Sequence, residues 1–190
     1  MRMAIKIYID QGHNPNNPNA GAEAFGVREQ DITYEVGILL ADLLLGSGNY
    51  EVRLARPTPT ASIGSSNSES LRLRVREANE WGADYYVSIH ANTSSNPSVS
   101  GTEAFSFSSP SRAFSLGTEI LEGITETTGL RNRGMKTRTN LYVLKRTNMP
   151  AVLVELGFMT NRGDLDLMLD RPDLFAEGIY RGIASYTGEV

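Results

Sequence analysis

The chain has 190 residues, 40% of them hydrophobic and 21% charged, and its 18 lysines and arginines against 22 acids give a net charge of −4. This balance fits one ordinary globular domain over residues 1–190, excludes collagen-like, coiled-coil and low-complexity chains, and lacks the strongly basic footprint of a nucleic-acid binder. Its lack of cysteine excludes disulfides, thiol nucleophiles and cysteine-based metal sites, and no apolar run reaches the roughly 18 residues of a membrane span.

In chain order, Ala4 to Ile9 alternates about Lys6 as a strand does. Asp10-Gln11-Gly12-His13 ends it, with glycine permitting a sharp turn, so the strand delivers His13 at its carboxyl end. Asn14 to Ala24 is rich in asparagine, proline and glycine and reads as a loop. From Arg28 to Leu45, Ile32, Val36, Leu39, Leu40, Leu43 and Leu44 recur at helical spacing, with Glu29 and Asp31 in the first turn, where the helix dipole favours acids. Gly46 and Gly48 are expected to end this helix. Tyr50 to Ala55 alternates as a second strand, and Pro57 to Asn67 is a turn-rich connection. Ser66-Asn67-Ser68-Glu69 has the form of a capping box opening a helix through Leu71, Val75, Ala78 and Trp81 to Gly82.

Tyr85 to Ile89 is nearly continuously apolar, as expected of a strand covered on both faces, and it runs into His90. Thr102 to Phe107 reads as a short strand, and Ser109-Pro110 as the N-cap and first residue of a helix through Ile120, Leu121 and Ile124 to Gly129. Leu141 to Leu144 and Ala151 to Leu156 read as two further strands, and Pro172 to Tyr186 as a closing helix. Strands alternating with helices indicate an α/β fold around a mostly parallel sheet. In such sheets ligands bind beyond the carboxyl ends of the strands, where both histidines of the chain fall.

Each histidine taken singly fits an ordinary half-buried residue bonded to backbone. Two at one sheet edge favour a metal site, since hydrolytic zinc is held by three protein ligands, two histidines and a carboxylate being one standard set. Glu29 is the nearest candidate acid, although an acid in a first helical turn is also explained by the dipole, worth about 0.3–1 kcal/mol. Glu155 interrupts the apolar run Ala151-Val152-Leu153-Val154-Glu155-Leu156-Gly157-Phe158. An unpaired charge there is costly, so Glu155 is either an edge acid paired with an arginine or a general acid or base beside the metal.

Five segments occur in one order: Ile9-Asp10-Gln11-Gly12-His13, Arg28-Glu29-Gln30-Asp31, Arg74 to Asn79, Ser88-Ile89-His90-Ala91-Asn92 and Val154-Glu155-Leu156-Gly157-Phe158. From about Ile5 to the last helix the chain resembles the zinc-dependent N-acetylmuramoyl-L-alanine amidases, peptidoglycan hydrolases of the bacterial cell wall that include sporulation, division and phage-lysin enzymes. The resemblance implies that His13, Glu29 and His90 hold one zinc ion, that Glu155 is the catalytic glutamate and that the α/β fold has a six-stranded sheet. It points to Asn92 as a residue supporting the site or touching substrate, whereas an asparagine after a strand is as readily a turn former. It also implies a peptidoglycan or muropeptide substrate and, as for autolysins, action at the cell wall or outside the cell. No wall-binding module is read in the chain, so a separate targeting partner is an expectation. Met1 to Asp10 lacks the pattern of a secretory signal, which leaves cytoplasmic storage before release or an earlier loss of the leader.

Two rivals remain open at this point. A zinc carboxypeptidase also uses His, Glu and His, but there the first two usually lie three residues apart. A non-catalytic peptidoglycan-binding homologue would keep the fold without the chemistry. Arg112, Arg131, Arg133, Lys136, Arg138, Lys145 and Arg146 crowd the C-terminal half; they read as a solvated loop face, or else as a basic groove for peptide carboxylates.

Overall fold

A computed structural model describes residues 4–189; Met1 to Met3, part of the segment read for an export signal, lie outside them. The first apolar run forms β1 (Ile5–Gln11) and buries its last five residues. The loop that follows closes in a small hairpin, β2 (Glu23–Ala24) with β3 (Val27–Arg28), which no periodicity announces. The elements after it are α1 (Glu29–Gly46), β4 (Tyr50–Leu54), α2 (Asn67–Trp81), β5 (Tyr85–Asn92), β6 (Thr102–Ser106) and α3 (Arg112–Thr128). The chain finishes with β7 (Asn132–Thr137), α4 (Tyr142–Arg146), β8 (Ala151–Phe158), α5 (Arg162–Asp170) and α6 (Pro172–Thr187).

Six strands make one sheet in the order β4-β1-β5-β8-β6-β7. Pairing is parallel except between β6 and β8, so the fold is α/β with a mixed, mostly parallel sheet. Alternation along the strands divides the core in two. Ile7, Ile9, Val87, Ile89, Val152 and Val154 pack with Val36 and Leu40 of α1, Ile120 of α3 and Ile179 of α6. Tyr8, Tyr86, Phe105 and Leu153 point to the other face, under Val75 and Ala78 of α2 and Val143 and Leu144 of α4. Burying a side chain of this size is worth about 1.5–3 kcal/mol, so both layers are held mainly by apolar burial. No helix of the described residues is long and apolar enough to cross a membrane.

Several expectations need correction. Leu141 to Leu144 is not a strand: its apolar residues make one turn of α4 and bury Val143 and Leu144 in the second core layer. A four-residue apolar run fits either period, and burial decides. The sixth strand is instead β7, a polar segment whose side chains are exposed or half-buried at the sheet edge. Such a strand shows no apolar alternation because neither of its faces is sealed, and its polarity protects the edge from pairing with other chains. The N-cap of α3 is Ser111 rather than Ser109: the Phe114 N–H donates to the Ser111 hydroxyl at 3.1 Å. The capping box at Ser66 forms, with Glu69 N–H donating to Ser66 Oγ at 3.2 Å, but the Glu69 carboxylate turns back to Ser65 rather than Ser66. The helix α5 is an addition to the expected elements, and Asn161 caps it by accepting from Asp164 N–H at 3.1 Å.

Candidate active site and metal centre

Beyond β1 the chain turns at Gly12 and His13. A Cβ on Gly12 would lie 2.6 Å from both His90 Cε1 and the Ile89 carbonyl, so only glycine lets the end of β1 lie against β5. His13 has a positive φ of 70°, a conformation that costs an L-residue roughly 1–2 kcal/mol. Arg74 of α2 holds it there. Its Nη2 donates to the His13 carbonyl at 2.6 Å and to Asn14 Oδ1 at 3.1 Å, and its Nη1 donates to Gln11 O and to the Asp10 carboxylate. Both Arg74 and Asp10 are buried. Burial alone would raise the Asp10 pKa; Arg74, His90 and the Ser88 hydroxyl more than offset it and hold the carboxyl below its ordinary value.

Glu29 opens α1 and is buried. Its N–H donates to Ala22 O at 2.9 Å, while its Oε2 accepts from Ala22 N–H at 2.9 Å and its Oε1 from Ala91 N–H at 3.1 Å. Beside these contacts, His13 Nε2 stands 3.1 Å from Oε2 and His90 Nδ1 3.0 Å from Oε1. Each carboxylate oxygen therefore meets one backbone N–H and one imidazole nitrogen. Burial would raise the Glu29 pKa, but the two imidazoles hold it far below the usual carboxylate range. Burial conversely works against the charged His90, and Glu29 outweighs it, so the His90 pKa is raised. The acid at the start of α1 thus does more than serve the helix dipole.

One donor atom from each of His13, Glu29 and His90 lies within 4.8 Å of the others. Bonds of about 2.0–2.1 Å at tetrahedral angles set zinc ligands about 3.3 Å apart. Each N···O separation, 3.1 Å from His13 to Oε2 and 3.0 Å from His90 to Oε1, is near that edge length, the two running to different oxygens of the one carboxylate, and imidazole and carboxylate donors suit a divalent ion. The residues fit such a group. His13 Nδ1 is buried with no hydrogen-bond partner among the described residues, so packing and the turn orient this ring.

Glu155 lies in β8, in the interior of the sheet, opposite His90 of β5 on one side and Glu103 of β6 on the other. The expectation of an edge acid held by an arginine is not met: no ion pair joins Glu155 among the described residues. Its Oε2 is buried and accepts no hydrogen bond. Burial pushes the carboxyl up to about 7; Glu29 and Glu103 add to the rise, and His90 and Arg138 oppose it. A half-buried carboxyl without an ion pair among the described residues, beside the His90 imidazole and under the influence of two other acids, is a costly arrangement that structure alone does not require.

His13, Glu29, His90, Glu155, Phe105 and Arg138 line one open cleft, which Asn92 also borders. Asn92 Nδ2 donates to Glu103 Oε1 at 3.1 Å, so this asparagine is tied into the row beside Glu155 rather than serving only as a turn former. Part of the basic cluster is likewise engaged. Arg133 Nε and Lys136 Nζ reach Glu103 Oε2 at 2.8 and 2.6 Å, and Arg112 donates to Tyr85 OH at 2.9 Å. The sequence reading missed Asp10 and Glu103 as site-bordering acids. The signal for both was present, a single acid among the mostly apolar and small residues of a strand.

The sequence matches the family described as N-acetylmuramoyl-L-alanine amidase over residues 7–185. It is 34% identical over 183 residues to the N-acetylmuramoyl-L-alanine amidase CwlM of Bacillus licheniformis, covering 95% of this chain and 66% of that protein. To the amidase LytC of Bacillus subtilis (strain 168) it is 32% identical over 184 residues, covering 95% of this chain and 35% of the relative. The chain thus spans just under two thirds of the first and about a third of the second. An N-acetylmuramoyl-L-alanine amidase from Clostridium difficile 630 superposes with a TM-score of 0.86 at 28% identity, with 97% of each chain covered.

Proposed function

The chain belongs to the N-acetylmuramoyl-L-alanine amidase family, and from that premise we propose that it hydrolyses the amide between N-acetylmuramic acid and L-alanine in peptidoglycan, with one zinc ion held by His13, Glu29 and His90 and with Glu155 as the acid–base residue. The observation that carries this reading is the meeting of the three donors with Glu155 in the register position beside His90. Zinc seated there supplies Lewis acidity, polarising a carbonyl and lowering the pKa of water to about 7. Glu29 contributes one negative charge fixed in direction by the Ala22 and Ala91 amides, and Glu155 a second, so the two carboxylates balance a dication.

Glu155 takes the proton of the attacking water on its carboxylate and returns it to the departing L-alanine nitrogen. A carboxyl raised by burial to about 7 is suited to both halves of that transfer near neutral pH, and a neighbouring cation favours its basic form for the first. The test combines metal analysis with product analysis on purified walls. Bound zinc, loss of cleavage on chelation, recovery on adding zinc and new amino termini at L-alanine are expected. Release of terminal D-alanine would instead favour a carboxypeptidase, and binding to walls without cleavage a non-catalytic homologue.

A second expected result concerns the backbone behind the tripod. A Cβ on Gly21 would stand 2.8 Å from Glu29 Oε2 and 2.9 Å from His13 Cδ2, closer than side chains tolerate. Gly21→Ala should displace both donors and weaken zinc binding by about 10- to 100-fold, the usual scale for disturbing the support of a ligand, as read by competition with a chromogenic chelator. Unchanged affinity would argue against Glu29 and His13 as ligands.

A further inference from the structure

Resting on the amidase reading above, we propose that Arg138 is the specificity-determining residue of the cleft, its guanidinium binding a free carboxylate on the stem-peptide residue that follows L-alanine. Arg138 follows β7 directly, and its backbone N–H is fixed to Ser106 O of β6 at 2.9 Å. Its guanidinium carbon lies 5.0 Å from the centroid of the Phe105 ring, and both residues line the cleft with Glu155.

Unlike Arg133 and Lys136, Arg138 makes no ion pair among the described residues, although its charge acts on Glu155 across the cleft. Arg133 and Lys136, which precede it on β7, are both spent on Glu103. Several other exposed arginines, Arg28, Arg72, Arg162, Arg171 and Arg181, each pair with a nearby acid, and Arg53, Arg131 and Arg146, which make no ion pair among the described residues, do not line the cleft. Among the described residues no hydrogen bond or ion pair engages the Arg138 side chain. Lying over an aromatic ring orients the planar fork while leaving its N–H edges free, the geometry that receives a carboxylate in two parallel hydrogen bonds. An oriented cation that makes no ion pair among the described residues, at the wall of the cleft, is placed to read an anion of a bound peptide.

The strand register sets the distance. Phe105 pairs with Leu153, two residues along β8 from Glu155, which is about 6.6 Å along the sheet. A peptide advances about 3.3–3.6 Å per residue. With the scissile amide at Glu155, a group over Phe105 therefore meets chain about two residues beyond the attacked bond. That is the place of the residue after L-alanine, whose carboxyl occurs either free or as an amide.

The probes are N-acetylmuramoyl-L-alanyl-D-isoglutamate and its isoglutamine counterpart, the same molecule with that carboxylate amidated. The zinc-loaded wild type should favour the free acid by on the order of 10- to 100-fold in kcat/KM, carried mainly by KM, as expected for a charge-assisted hydrogen bond. Arg138→Met should collapse that ratio towards one, and Arg138→Lys should keep its sign with a smaller value. The ratio is the readout, so a general loss of activity does not imitate the effect, and the wild-type preference tests the idea without any variant. Equal rates for the two probes in the wild type, or an unchanged ratio in Arg138→Met, would overturn the assignment and leave the amidase reading standing. Cleavage of neither probe nor of intact walls would overturn both.

Discussion

Glu155→Gln is expected to bind zinc as the wild type does and to turn over muropeptides about 10²- to 10⁴-fold more slowly, the usual loss for one acid–base group. The substitution keeps the shape of the side chain and removes none of the three donor atoms of the tripod, so metal content should not change. What it removes is the oxygen that the proposed mechanism uses to take and return the proton. Glutamine also needs no pairing charge in a position where the carboxylate Oε2 is buried without a partner, so the variant should fold at least as well as the parent. Turnover is followed by labelling the L-alanine amino termini released, and zinc by elemental analysis of the same sample. Near-normal turnover would remove Glu155 from the mechanism; loss of zinc along with activity would mean that it is a ligand instead.

The largest expected effect on stability lies outside the cleft. Arg74→Met should destabilise the protein by about 3–5 kcal/mol, the cost of leaving one partner of a buried ion pair unpaired. For a chain of this size that is roughly 6–20 °C in Tm, measurable by calorimetry or by the denaturant midpoint. The sign of the pH dependence follows from Asp10. In the wild type its pKa is depressed, so it adds stability that is present above the unfolded value of about 3.9 and fades as pH falls through the lower folded value. Without Arg74, burial dominates and the folded pKa rises instead. The deficit of the variant should therefore be smallest in acid and grow as pH climbs through the unfolded value. Adding Asp10→Asn should recover part of the loss, because no charge is then left alone. A deficit that does not vary with pH would show that Arg74 acts through packing and its bonds to the 11–14 backbone rather than through Asp10.

Much of the candidate site is legible in the sequence, because its residues sit where local rules break. His13 and His90 end apolar strands, and Glu155 interrupts one. The elements of the buried layers were legible for the same reason, since a face that must be buried imposes a period on the sequence. The rest left weaker traces. β7 is an edge strand, and nothing forces Asn132 to Thr137 to alternate. Leu141 to Leu144 is too short for its period to separate a strand from one helical turn, and only the place of Val143 and Leu144 beneath α2 decides. Arg74 could be noticed as part of a motif, but its grip on the His13 carbonyl depends on a contact across some sixty positions of chain. In sequence Arg138 is one member of a basic cluster, and only the contacts of Glu103 with Arg133 and Lys136 separate it from them.

Because β6 runs against β8, the segment from Thr93 to Gly101 leaves and re-enters the sheet at the same rim, beside the cleft, instead of crossing the molecule. It is tied down at intervals: Ser94 N–H donates to Thr160 Oγ1, Asn161 Nδ2 to Pro97 O, and Gly101 N–H to the buried Asp164. Lengthening a loop with fixed ends adds only about 0.6 kcal/mol of closure entropy for each doubling. The reversal of β6 and, with it, β7 thus gives the architecture a place to raise or lower a parapet over its groove at little cost in closure entropy, altering how bulky a ligand can enter while the strands beneath keep their register.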